Sequence, residues 1–132
     1  MIKKRRIIGL LQKYSLKACV VGLGVTLFSG CGWRSCSEIP SNFESFDTAI
    51  SAIEGSNFLV EESVNTSSSS FITDADYYSC DGAQGYLILE FKGESYLFEG
   101  VGIEVWEGFK SADSFGQYYH RHIQGRYRYH VQ

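Results

Sequence analysis

The stretch FITDADYYSCDGAQGYLILEFKGESYLFEGV, residues 71–101, decides the fold. Three runs rich in aromatic and branched residues, FITDADYY, GYLILEF and SYLFEGV, are separated by CDGAQ and KGE. Such side chains suit a pleated, half-buried surface, and Gly82 and Gly93 supply turn geometry between the runs. The pattern predicts three consecutive antiparallel strands.

Downstream, the apolar period changes. IEVWEGFKSA brings Ile103, Trp106, Phe109 and Ala112 near one helical face, and SFGQYYHRHI repeats this with Phe115, Tyr118, Tyr119 and Ile123. Both segments are expected to cover the sheet as helices. Gly125 then breaks the pattern before RYRYHV. As a strand, that tail would place Tyr127, Tyr129 and Val131 on one face and Arg126, Arg128 and His130 on the other, so that aromatics pack while cations stay in water.

Upstream, SFDTAISAIEG carries Phe46, Ala49, Ile50 and Ile53 at helical spacing, with Ser45 as N-cap and Gly55 as the stop. NFLVEESV alternates Phe58, Val60 and Val64 on one side with Glu61 and Ser63 on the other, a half-buried strand. NTSSSS reads as a flexible loop, and GWRSCSEIPSN, with the chain's single proline Pro40, as an irregular lead-in. The expected fold class is α+β: a small single domain whose N-terminal helix and strand precede a three-stranded antiparallel sheet packed by C-terminal helices.

The first thirty residues are of different material. Lys3, Lys4, Arg5, Arg6, Lys13 and Lys17 make up half of the chain's twelve cations and precede the uncharged run ACVVGLGVTLFSG, residues 18–30. That run fits a secretory h-region, whereas a membrane-crossing helix needs about 20 residues. Its end, LFSGC, with Ser29 and Gly30 before Cys31, resembles a bacterial lipobox, with Phe28 where Leu is usual. The resemblance implies that the Cys31 thiol is lipidated, that the signal is cut just before it, and that the protein is tied to the membrane through that lipid. Gly32 rather than Asp after the cysteine leans toward the outer membrane. The expected organisation is a signal peptide over 1–30, a lipidated cysteine and linker over 31–45, a helix-strand extension over 46–66 and a C-terminal domain over 67–132.

Removing the signal leaves six cations against fifteen carboxylates, a formal charge of −9 for residues 31–132. That is the wrong sign for a general polyanion binder. Cys19 leaves with the signal and Cys31 carries lipid, so Cys36 and Cys80 remain as disulfide candidates in an oxidising compartment, the alternative being two unpaired thiols.

Residues 69–127 resemble the KTSC domain, a short module named for its place at the C-terminus of some lysyl-tRNA synthetases. The features that align are Ser69-Ser70-Phe71-Ile72, the Tyr77-Tyr78 pair, Tyr96-Leu97-Phe98, Gly100-Val101, Val105-Trp106, Phe109, Ser114, Gly116-Gln117-Tyr118-Tyr119 and Ile123. Phe98 replaces a tyrosine of the central motif, Gly102 stands where proline is common, and His120 stands where asparagine is usual. What the resemblance implies about function is a link to RNA, through the company this domain keeps.

The chemistry-bearing residues point away from catalysis. His120 and His122 would project about 200° apart on a helix, which does not suit shared chelation. HExxH, GxSxG and a phosphate-cradling glycine loop are all missing, and Asp74 and Asp76 lack the rest of a calcium loop. No catalytic residue, metal or cofactor is expected. Residues 114–132 hold three arginines, all three histidines of the chain, four tyrosines and no carboxylate. Arg121, Arg126, Arg128, His120, His122, Tyr118 and Tyr119 are therefore the ligand-binding candidates. The resulting expectation is a lipid-anchored protein of the bacterial cell envelope, in the outer membrane or on the cell membrane facing outside the cytoplasm. It would bind an envelope protein or an anionic ligand without catalysis. Two alternatives stand beside it: a nucleic-acid binder using the same basic segment, and a metal-dependent hydrolase using His120 and His122.

Overall fold

The computed structural model of the chain describes residues 34–40 and 42–132. In chain order these form β1 (Arg34–Ser35), a 3-10 turn (Cys36–Glu38), α1 (Phe46–Glu54), β2 (Ser56–Asn57), β3 (Val60–Ser63) and β4 (Ile72–Ser79). They continue as β5 (Gln84–Phe91), β6 (Glu94–Gly102), α2 (Ile103–Lys110), α3 (Phe115–His122) and β7 (Tyr129–Val131). All of these elements fall in one compact unit, Trp33–Gln132. The predicted signal, the lipidation site Cys31 and its lipobox lie outside the described residues.

The main sheet runs β3-β4-β5-β6-β7, each neighbour antiparallel, while β1 and β2 form a separate two-stranded parallel pair. The sheet therefore has five strands, where the sequence predicts three. The three expected strands form its centre, and the additions are edges. Val60–Ser63 pairs with Asp76–Ser79, and Tyr129–Val131 pairs with Tyr96–Phe98 across the whole α2–α3 excursion. Local alternation can show that a short segment is extended, but the neighbour it bonds to is set by remote parts of the chain.

The central meander obeys its turn chemistry. Lys92 and Gly93, both at positive φ (56° and 79°), connect β5 to β6 as a two-residue turn whose twist matches the strands. Gly100, at φ 70°, is the extra residue where the register slips between Tyr86↔Glu99 and Gly85↔Val101. That bulge resets the alternation, so Phe98 and Val101 point to the same face.

Each face of the sheet has its own cover. Leu87, Leu89 and Phe91 of β5, with Tyr77, Phe98 and Val101, pack against Trp106 and Phe109 of α2 and Phe115, Tyr119 and Ile123 of α3 and its end. Trp106 lies at the centre, stacked on Tyr77 (5.3 Å, 10°) and Phe109 (5.9 Å, 13°), and the Tyr77 hydroxyl donates to the Val101 carbonyl at 2.8 Å. On the other face, Ile88 and Leu97 meet Phe46, Ala49 and Ile53 of α1, with Phe43 from the lead-in. Helix α1 begins at the expected Ser45, whose side chain accepts from the Thr48 N–H while Thr48 reaches back to the Ser45 N–H, and it ends at Gly55.

Phe58 departs from its expected side. It packs on the α1 face against Tyr78 and Tyr86, whereas Val60 and Val64 support the α2–α3 face. The strand starts only at Val60, so its alternation does not extend back to Phe58. Nor does NTSSSS hang free: Thr66 is buried, Asn65 accepts from the Ser67 N–H, and Ser69 accepts from the Phe71 and Ile72 N–H groups.

Cys36 and Cys80 form a disulfide, with Cα atoms 5.7 Å apart and a separation of 44 positions in sequence. It fastens the lead-in to the end of β4. In the chain-entropy model a closed loop of that span contributes about 4 kcal/mol. That rivals the roughly 3–6 kcal/mol from burying the two large side chains of α1, Phe46 and Ile53. Covalent and apolar ties are therefore of similar weight in holding this layer.

Candidate functional site

The basic segment is built from α3, the turn after it and β7. Ser114 caps α3 by accepting from the Gln117 N–H, and the last turn carries His120, Arg121 and His122, where positive charge suits the carbonyl end of a helix. Among the candidate residues, Tyr119 faces inward, against Phe91 and Phe98. Tyr118 is half-buried against Phe109 and stacks on the His122 ring at 4.2 Å. Burial pushes both of these phenols above their ordinary range. His120 takes other partners, with Nδ1 2.5 Å from Gln124 Oε1 and its ring beside Phe71. The two histidines thus have separate surroundings. Among the described residues no three His, Cys, Asp or Glu side chains gather as around a metal ion.

The arginines are not gathered on one face. Arg121 is exposed, and its carbonyl accepts from Arg126 Nε at 3.0 Å. Arg128 instead reaches the α1 side, where Nη1 donates to Asn42 Oδ1 (2.6 Å) and Nη2 to the Phe43 carbonyl (3.2 Å). All of these acceptors are neutral. Among the described residues none of the three forms an ion pair. His130 does have an acidic partner, with Nε2 2.7 Å from Glu99 Oε1, both side chains close to nine-tenths buried.

The expectation that the aromatics of the tail pack while its cations face water is met only in part: Tyr127 packs against the core and Arg126 and Arg128 are exposed, but so are Tyr129 and Val131. Arg128 and His130 are drawn down onto the α1 face, while Tyr129 and Val131 remain 53% and 39% exposed. Tyr129 leans on Phe98 (5.7 Å) and Tyr96 (6.1 Å), and Tyr96 stacks on Phe91 at 4.1 Å. The Tyr96 hydroxyl donates to Glu94 at 2.7 Å, and that bond, ahead of burial, pushes its pKa up to about 12. An aromatic ledge continues from the core to solvent at this edge. The alternation of RYRYHV places Tyr129 and Val131 on one face correctly, but their exposure follows from β7 being the outermost strand.

A second polar cluster was not legible in the sequence. Glu62, between Val60 and Val64 on the α2 side of β3, accepts from the indole N–H of Trp106 (2.6 Å) and from Lys110 Nζ (2.7 Å), while Lys110 also meets Glu107 at 2.8 Å. The Lys110 bond, followed by the Trp106 bond, holds the Glu62 carboxyl below its usual range. This cluster seals the rim of the core.

Residues 68–127 match the family model of the KTSC domain. The matched segment spans β4 to the turn after α3, and α1, β3 and β7 lie outside it. A crystal structure of a KTSC domain protein from Yersinia pestis is 24% identical, covering 55% of this chain and 99% of that one, with a TM-score of 0.47. No curated protein matches the chain. Among the described residues no helix is long and apolar enough to cross a membrane.

Proposed function

We propose that this chain is a non-catalytic binding module of the bacterial cell envelope, tethered through lipid on Cys31, and that it takes an anionic partner on its C-terminal edge. The observation that carries the reading is the neutral company of Arg121, Arg126 and Arg128 on a body of formal charge −9. Three cations with abundant carboxylates elsewhere in the chain, yet paired to none among the described residues, keep their charge for another molecule. The LFSGC sequence supports the tether, and a Cys36–Cys80 disulfide suits an oxidising compartment.

Polypeptide is the favoured partner over single-stranded RNA. A reader of single strands needs open aromatic faces in a basic groove, but Tyr119 is turned into the core, Tyr118 is stacked on His122, and the exposed Tyr129 lies beside Tyr96 and Phe98 on the face away from Arg128. The test has two parts. Labelled palmitate should enter the wild-type protein and not Cys31→Ala, which should leave the membrane fraction. Polyglutamate should bind in a salt-sensitive manner and lose affinity in Arg121→Ala/Arg126→Ala/Arg128→Ala. Stronger binding of an oligouridylate than of polyglutamate would reverse the choice of partner.

A further inference from the structure

Strand β7 is the outer strand of the sheet among the described residues. Its hydrogen bonds show which way its backbone faces. The Glu99 N–H donates to the Arg128 carbonyl and the Gln132 N–H to the Ser95 carbonyl, both at 3.0 Å, with Leu97 opposite His130 between them. Bonding alternates along an antiparallel ladder, so residues 128, 130 and 132 bond inward while the N–H and C=O groups of Tyr129 and Val131 point away from the sheet. Those same two residues carry exposed apolar side chains.

Sheet edges are ordinarily blunted by charge, proline or a bulge. The opposite edge, β3, carries Glu61 and Glu62. On β7 the cationic heads are pulled off the edge, Arg128 by Asn42 and Phe43 and His130 by Glu99. Among the described residues no strand pairs with its outer side, where Tyr129 and Val131 are exposed. We propose, resting on the anionic-partner reading above, that β7 is a strand-addition site for an extended peptide of alternating apolar and acidic residues. The peptide's main chain pairs with the outward groups of Tyr129 and Val131. Its apolar side chains lie along those two residues, and its carboxylates lie on the opposite face, toward Arg128.

A second copy is a poorer occupant. Pairing Tyr129 with Val131 of another chain would set His130 against His130 and bring together two bodies of formal charge −9. A three-residue strand is also far short of the roughly 1,000 Å² that a specific protein interface needs.

The test uses the full chain in detergent and a fluorescein-labelled peptide of sequence TVEVEVT. Saturable binding is expected, weakened about tenfold or more when lysine replaces both glutamates and when the valine amides are N-methylated, since two lost main-chain bonds of about 0.7 kcal/mol each amount to that factor. Val131→Pro removes one outward N–H without breaking the β6–β7 ladder and should weaken binding about threefold, the factor for one such main-chain bond, while leaving the circular dichroism spectrum unchanged. If Val131→Pro disturbs folding, the N-methylated peptide against the wild-type protein decides alone. Glutamate-dependent binding that ignores both N-methylation and Val131→Pro would overturn strand addition and leave the anionic reading standing. Absence of binding to this peptide and to polyglutamate alike would overturn both. A dimer that Val131→Pro dissolves, or an oligouridylate that displaces the peptide and survives Val131→Pro, would each overturn the peptide as occupant.

Discussion

Replacing Glu62 with alanine tests how the rim of the core is held. The carboxylate accepts from Trp106 Nε1 at 2.6 Å and Lys110 Nζ at 2.7 Å, and Trp106 is fully buried. In Glu62→Ala the indole N–H is left without this acceptor beneath the helix layer, which costs about 1–3 kcal/mol. The ion pair adds less. Its side chains are 26% and 41% exposed and Lys110 keeps Glu107, so solvent screening limits this part to about 0–1 kcal/mol. The expected loss is about 2–3 kcal/mol, a fall in Tm of roughly 10 °C or more for a domain of this size. Glu62→Gln keeps an acceptor for the indole and should lose only about 1 kcal/mol. Lys110→Met, which spares the indole bond, should fall within about 1 kcal/mol of wild type.

The assay is urea denaturation of the oxidised protein, followed by far-ultraviolet circular dichroism and tryptophan fluorescence. The pH dependence has a definite sign. Because the folded Glu62 carboxyl is held below its ordinary value of 4.5, its ionic contribution is present above that pH and is lost as pH falls through the lower folded value. The gap between wild type and Glu62→Ala should therefore be constant near neutrality and narrow below about pH 4. A Glu62→Ala protein within 0.5 kcal/mol of wild type, or Glu62→Gln as damaged as Glu62→Ala, would refute the reasoning, because either result means the buried indole does not depend on this acceptor.

Three further outcomes are expected. Reducing Cys36–Cys80, or replacing both cysteines with serine, should lower stability by about 2–4 kcal/mol and accelerate amide exchange in α1, whose lead-in it fastens; an unchanged urea midpoint would contradict this. Tyr77→Phe removes the bond to the Val101 carbonyl and should cost about 1 kcal/mol at pH 7. Burial pushes the Tyr77 hydroxyl from 10.0 up to about 12, so wild-type stability falls through that window as the unfolded phenol ionises, and the gap to Tyr77→Phe should close there. Gly85→Ala drives a new Cβ into the Tyr78 carbonyl and to 3.0 Å from Ser79 Cα, both backbone atoms of the neighbouring strand. A loss of about 3 kcal/mol or more is expected, read as a fall in soluble yield and Tm.

Much of this architecture is local in origin. The runs in 71–101 become β4, β5 and β6 because aromatic and branched side chains alternate there with turn residues at the right distances. Helix α1 starts at Ser45 and stops at Gly55 because capping chemistry acts within a few residues. The Cys36–Cys80 pair follows from counting thiols. What escaped the sequence is of another kind. Glu62 looks like half of an exposed acidic pair until β3 is laid beside β4, which brings it under Trp106 and Lys110, 44 and 48 residues away. Phe58 belongs to the α1 face because the strand begins after it, a boundary set by pairing with Ser79.

The C-terminal segment divides in the same way. Its sequence by itself determined a helix with basic residues in the last turn, an alternating tail and a cationic end to an acidic chain, since composition and periodicity depend only on neighbours. The tertiary structure alone decided that β7 is the outer strand among the described residues, that Asn42, Phe43 and Glu99 draw Arg128 and His130 to one face, and that Tyr129 and Val131 are left exposed. Those partners lie 31 to 86 residues away along the chain. No local pattern encodes them, because they are brought together only when the sheet closes its register and its two faces are covered.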